Sequence, residues 1–232
     1  MPSDKAYKET KQIMLGKRVM KPEFIELAEW IDKTYGVKTI NIIYDTFIAA
    51  RKKQSRLQIC FEFERESLKF RDGRLGNFHE TKQIAISQKF QEILRTEKST
   101  NSRSLLNLFR TSKYATDNIL IVFSAFEPIA RIEANESVPE SKIKELKNEL
   151  ENEEIWEISQ AFSGTTIFLY TDEQVKKYED SEEHKKWTDK YFELLSQFDE
   201  FGYFKREFYS VYLDSKENFD NNYESNWYYY YK

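Results

Sequence analysis

Three carboxylates in the first half of this chain have the spacing that divalent-metal chemistry asks for. Asp45 falls near the end of an apolar run, VKTINIIYDTF, and Glu62 and Glu64 stand two residues apart in the next run, LQICFEFERESLKF. Alternate residues of a strand share a face. A strand over 57–70 would therefore set Glu62, Glu64 and Glu66 in one row and Leu57, Ile59, Phe61 and Phe63 on the opposite side. Asp45 on the neighbouring strand, with Glu26 on the helix before it, would add oxygens of the kind that Mg or Mn takes. The simpler reading is a solvated strand face whose acids pair with cross-strand bases.

The order helix, strand, strand, with an acid on each strand, resembles the restriction-endonuclease-type nucleases. Their motif continues from an acid on one strand to acid, any residue, lysine on the next. Here Phe63 and then Glu64 follow Glu62, so an acid stands at the lysine position. The resemblance implies a metal-dependent nuclease built on Asp45, Glu62 and Glu64; the residues by themselves assign no catalytic group, metal or cofactor. Other chemistry is poorly supplied. The two histidines, His79 and His184, have no HxxxH or HExxH spacing. Cys60 lies between carboxylates, which raise a thiol pKa, and Ser163-Gly164 reads as a turn rather than a nucleophile elbow. Six glycines in 232 residues leave no Gly-rich phosphate loop.

Binding is better provided for. The net charge of −4 divides unevenly: 23 Lys and Arg against 15 Asp and Glu over residues 1–120 (+8), and 13 against 25 over 121–232 (−12). In the first half, Arg51, Lys52, Lys53 and Arg56 form a basic cluster suited to phosphates. In the second, the aromatic-rich end of the chain offers Tyr223, Trp227 and Tyr229 as anchors in an acidic surround, the composition of an interface for a basic protein. The expectation is a non-enzymatic protein-binding module, immunity-like in neutralising a basic partner such as a toxin, or an adaptor. The alternative is a metal-dependent nuclease or nucleic-acid-binding protein using the first half.

The elements that must position these residues follow from periodicity. A short polar helix is expected over 3–15, and a firmer one from Pro22 to Gly36, where Phe24, Leu27, Ala28, Ile31 and Tyr35 recur at helical spacing. Strands follow over 37–47 and 57–70, then a helix around Ile86, Phe90 and Ile93. The polar run TEKSTNSRS reads as a boundary, dividing a basic α/β half (1–95) from an acidic half (118–232) across a connection at 96–117. NILIVFSAF would open the second half, and a hairpin over 155–171 would form its centre, with Trp156, Ile158 and Phe162 on one face. Helices over 141–152 and 181–201 would cover it, and 208–213 and 227–231 would add strands. The order predicts an α+β protein of two ferredoxin-like (split βαβ) halves, related by a degenerate duplication. One cysteine permits no internal disulfide, and 1–12 lacks a signal-peptide core, so a cytoplasmic protein with no membrane partner is expected.

Overall fold

A computed structural model describes residues 1–49, 52–73, 76–101 and 114–232. The chain is α+β and divides into two compact units, Ser3–Glu127 and Pro128–Lys232. Most of the connection expected at 96–117, residues 102–113, lies outside the described residues.

In the first unit, α1 (Lys5–Met14) and a 3-10 turn (Pro22–Phe24) lead into α2 (Ile25–Tyr35). Gly36 ends α2 in the left-handed region (φ 62°), its N–H returning to Asp32 O at 2.9 Å. The strands β1 (Thr39–Ala49) and β2 (Lys52–Phe61) form an antiparallel hairpin with Asp45 opposite Arg56. Next come α3 (Glu64–Leu68), α4 (Glu80–Asn101) and β3 (Leu120–Ala125), which returns parallel to β2 with Leu120 opposite Arg56. NILIVFSAF therefore completes the first sheet instead of opening the second, because Ile121 and Phe123 fill the core begun by Leu57, Ile59 and Phe61. Phe24, Leu27 and Ile31 from one side and Ile86, Phe90 and Ile93 of α4 close that core. Phe70 stacks on Phe61 and Phe123 at 4.9 and 4.4 Å. On the sheet's other face α1 docks through Tyr7, stacked on Phe126 at 5.1 Å, and Thr10, whose Oγ1 accepts from Asn41 Nδ2 at 3.0 Å.

The expected strand over 57–70 stops at Phe61. The Glu66 carboxylate accepts from the Phe63 N–H at 3.0 Å and the Lys38 N–H at 2.9 Å, and this side-chain capping turns ERESL into α3. Glu62, Glu64 and Glu66 therefore do not form a strand row.

The second unit holds α5 (Glu127–Glu136, begun at the last residue of the first unit), α6 (Glu140–Glu149), β4 (Ile155–Ala161), β5 (Gly164–Leu169), α7 (Asp172–Tyr178) and α8 (Glu182–Ser196). Then β6 (Tyr212–Ser215) lies parallel to β5, followed by α9 (Lys216–Tyr223) and α10 (Trp227–Tyr230). Ser181 caps α8 by accepting from the His184 N–H at 3.1 Å, and Trp187, Tyr191, Leu194 and Leu195 pack against Ile158, Ile167 and Leu169. The expected alternation of β4 is broken. A register shift between Ile155 and Glu157 lets Ile155 and Ile158 both enter the core, and Trp156 falls instead on the outer face with Phe168. The expected strand at 208–213 starts only at Tyr212, and 227–231 is helical because Asn226 accepts from the Tyr228 N–H at 2.9 Å and nucleates a turn.

Each unit carries the same order of helix, hairpin, two helices and a third strand parallel to the second (α2 to β3, and α6 to β6). Among the described residues each sheet has three strands in sequence order, β1-β2-β3 and β4-β5-β6, without the fourth strand expected of a split βαβ unit. Among the described residues no helix is long and apolar enough to cross a membrane.

Candidate interaction surface

The carboxylates singled out by spacing do not converge. Asp45 is half-buried on β1 and locked to its register partner: Arg56 Nε and Nη2 reach its two oxygens at 2.9 and 2.7 Å, and Gln58 Nε2 adds a third bond at 2.7 Å. Glu62 lies six residues beyond Arg56, about 20 Å along a strand, where it accepts from Lys38 Nζ at 2.8 Å and raises the pKa of that ammonium. Glu64 opens α3, and Glu26 faces Lys89 at 3.9 Å. Among the described residues no group of three His, Cys, Asp or Glu side chains is placed to hold a metal.

Of the predicted basic cluster, Arg51 lies outside the described residues, Lys52 and Lys53 are exposed, and Arg56 is held by Asp45. Lys52, Lys53 and Arg56 stand on β2. His79 Nδ1 meets Asp72 Oδ1 at 3.0 Å, and His184 Nε2 lies 2.9 Å from Val211 O. Burial, rather than the neighbouring acids expected to do so, pushes the Cys60 thiol up to about 11, against hydrogen bonds with Ser124 and Thr10 that lower it.

The second unit's outer sheet face is built from aromatic rings. Phe168, fully buried, has Trp156 at 5.9 Å, Trp227 at 5.2 Å, Tyr230 at 5.2 Å and Phe219 at 6.2 Å around it. The C-terminal helices are pinned there by polar tips. Tyr230 donates to Asp214 Oδ2 at 2.5 Å, and its own pKa is driven up by burial and by that carboxylate. Tyr231 donates to Ser159 Oγ at 2.7 Å. Of the predicted anchors, Trp227 is mostly lid and Tyr223 packs on Tyr230 at 4.8 Å, while Tyr229 is exposed beside Tyr228 at 5.8 Å.

No protein-family model, curated protein or solved structure matches the chain.

The hairpin tip of the second unit carries an exposed ring on a strained backbone. Ala161 pairs with Gly164, so Phe162 and Ser163 form a two-residue turn. Phe162 sits at φ 53° and is 60% exposed. A bulky residue in the left-handed region costs about 1–2 kcal/mol, and Gly or Asn is the usual occupant of such turns. The buried Asn135 enforces the geometry: its Nδ2 donates to Phe162 O at 3.1 Å and Gly164 O at 2.8 Å. Its Oδ1 accepts from Tyr191 at 3.0 Å and Thr165 at 3.2 Å, and Gln160 donates to Tyr191 at 2.8 Å. Beside the tip, Tyr212 of β6 lies across Gly164, where an added Cβ would come within 3.4 Å of its ring; Tyr212 is 67% exposed. Phe162, expected on one strand face with Trp156 and Ile158, lies instead in the turn beyond the end of β4 and faces solvent, and Tyr212, expected within a strand over 208–213, opens β6.

The exposed apolar side chains separate by unit. Among the described residues those of the first unit are Met1, Val19, Ile25, Ile48 and Ile84, with no ring. Those of the second are all aromatic: Phe162, Tyr170, Phe208, Tyr212, Trp227, Tyr228 and Tyr229. The same unit carries 13 Lys and Arg against 24 Asp and Glu over 128–232, a net −11.

Proposed function

We propose that the chain is a non-enzymatic protein-binding module that takes a basic protein on the acidic, ring-bearing surface of its second unit, in the manner of an immunity-like neutraliser or an adaptor. The observation that carries this reading is that, among the described residues, every exposed ring lies on the acidic unit. Aromatic anchors within a charged rim are the composition of a protein interface, whereas a phosphate backbone would be repelled by −11. Phe162 is its most telling residue: a strained backbone presenting a solvent-facing ring spends stability without a folding return, which marks functional positions.

The test couples capture to substitution. The full chain is used as bait in nuclease-treated native lysate, and the stoichiometric species is purified and titrated calorimetrically against wild type, Phe162→Asn and Tyr212→Ser. A basic partner is expected whose affinity falls at least tenfold in each variant and weakens with salt. Asn suits the left-handed turn, so Phe162→Asn keeps its melting temperature. Capture that vanishes with nuclease, or a partner indifferent to both substitutions, overturns the reading.

A further inference from the structure

The β1–β2 hairpin outruns its own sheet. β3 pairs with β2 only from Arg56 to Phe61, whereas the β1–β2 ladder continues through Thr46↔Ser55, Phe47↔Gln54, Ile48↔Lys53 and Ala49↔Lys52. At about 3.3 Å per residue, these four rungs project a two-stranded ribbon roughly 13 Å past the third strand. Opposed residues share a face, so Ile48 and Lys53 stand on one side of the ribbon while Lys52 stands on the other, in line with Phe47 and Arg56. Ile48 is 80% exposed, and both lysines are exposed. Such a ribbon gains little from its own burial, since two strands alone are marginal in water.

Farther down the outer face, Lys5 and Lys21 line a polar cleft of about 380 Å³ together with Asp45, Arg56 and Gln58. The acids in that cleft are already engaged. Arg56 holds Asp45, Asp4 accepts from the Ala6 N–H at 2.7 Å, and Glu9 faces Arg18 at 3.9 Å. Among the described residues Lys5, Lys21, Lys52 and Lys53 make no ion pair. The first 127 residues carry 23 Lys and Arg against 16 Asp and Glu, a net +7.

We infer that this ribbon is an arm for duplex DNA, on a surface separate from the protein-binding face proposed above. A duplex groove admits a two-stranded ribbon. Lysines on both faces reach phosphates on both groove walls, Lys5 and Lys21 meet the backbone beside the groove, and Ile48 is the apolar wedge that such arms press against base steps. Phosphate is the complementary charge to this surface, and no base is recognised by it, so binding is sequence-independent.

Fluorescence anisotropy of the full chain on a labelled 20-base-pair duplex tests this. Four phosphate contacts predict a slope of log K against log salt near −3.6, about a hundredfold loss between 50 and 200 mM NaCl. The double substitution Lys52→Ala/Lys53→Ala should flatten that slope by about 1.8, and Ile48→Ala should leave the slope alone while reducing duplex bending seen by end-to-end energy transfer. All three residues are exposed, and far-ultraviolet circular dichroism of the variants should match wild type. No binding at 50 mM salt, an unchanged slope in the double variant, or tighter binding to a single strand than to the duplex overturns the inference.

Discussion

Replacing Trp227 by alanine separates a packed lid from a free surface segment. Trp227 is 37% exposed and its ring meets Phe219 at 4.3 Å, Phe168 at 5.2 Å, Tyr231 at 5.8 Å and Trp156 at 6.0 Å. A tryptophan buried to this degree removes roughly 150 Å² from water, worth about 4 kcal/mol at ~25 cal/mol per Å². Compact denatured chains lower this to about 3 kcal/mol. For a unit of this size that shifts the melting temperature by roughly 15 °C. Tyr228, 69% exposed with its ring against Tyr229, should cost below about 1 kcal/mol when changed to alanine. Calorimetry of the two variants side by side, with hydrogen exchange over β4 and β5 to localise the effect, makes the comparison. If Trp227→Ala melts within about 3 °C of Tyr228→Ala, the terminal helices are not a structural cover and the account of the outer sheet face is wrong.

Asn135→Ala should cost about 3 kcal/mol or more, because it orphans the Tyr191 and Thr165 hydroxyls and the carbonyls of Phe162 and Gly164 together; chemical denaturation followed by near-ultraviolet dichroism reports it. Cys60, at about 11 against 9.0 for an ordinary thiol, should react with iodoacetamide roughly a hundredfold more slowly at pH 8 in the native chain than in urea. The folded state favours the neutral thiol, so the stability linked to it is complete below pH 9 and is lost as pH rises through 11; Cys60→Ala should remove that alkaline loss, and equal labelling rates with and without urea would falsify the assignment. Asp45→Ala frees Arg56 and Gln58, and because the pair is about one-third exposed the expected cost is only about 1 kcal/mol by urea midpoint.

What the sequence disclosed tracks how local the deciding physics is. The Pro22 start and Gly36 stop of α2 and the Ser181 cap of α8 are written in a few adjacent residues, and those helices stand where periodicity put them. The hairpin around Ser163 is equally readable, although its two turn residues are Phe162 and Ser163 and Gly164 already opens β5. The failures needed partners distant in sequence. FEFERES alternates well enough for a strand, yet Glu66 reaches the Lys38 N–H, 28 residues away, and helps hold a helical turn. NILIVFSAF is a plain buried strand, and nothing within it says that its partner is β2 rather than a strand to come. Trp156 alternates correctly until a one-residue bulge reverses its face. At the candidate surface, composition gave the acidic, aromatic character, but which rings are lid and which face water depends on where α10 packs. Phe162 escaped because its anomaly is a backbone angle.

The parallel return of the third strand bears on how the polypeptide emerges from the ribosome. Arg56 must wait for Leu120, 64 positions later, and Thr166 for Tyr212, 46 positions later. Helices and hairpins form locally and early, but each sheet closes late, a pattern of high contact order that slows folding. During synthesis the nascent first unit therefore holds β2 with an unpaired edge through the whole of α3, α4 and the connection beyond. Exposed edges of this kind recruit other strands. A stalled or truncated chain ending before residue 120 should accordingly aggregate or engage chaperones, while one released just after Glu127 can fold its first unit to completion.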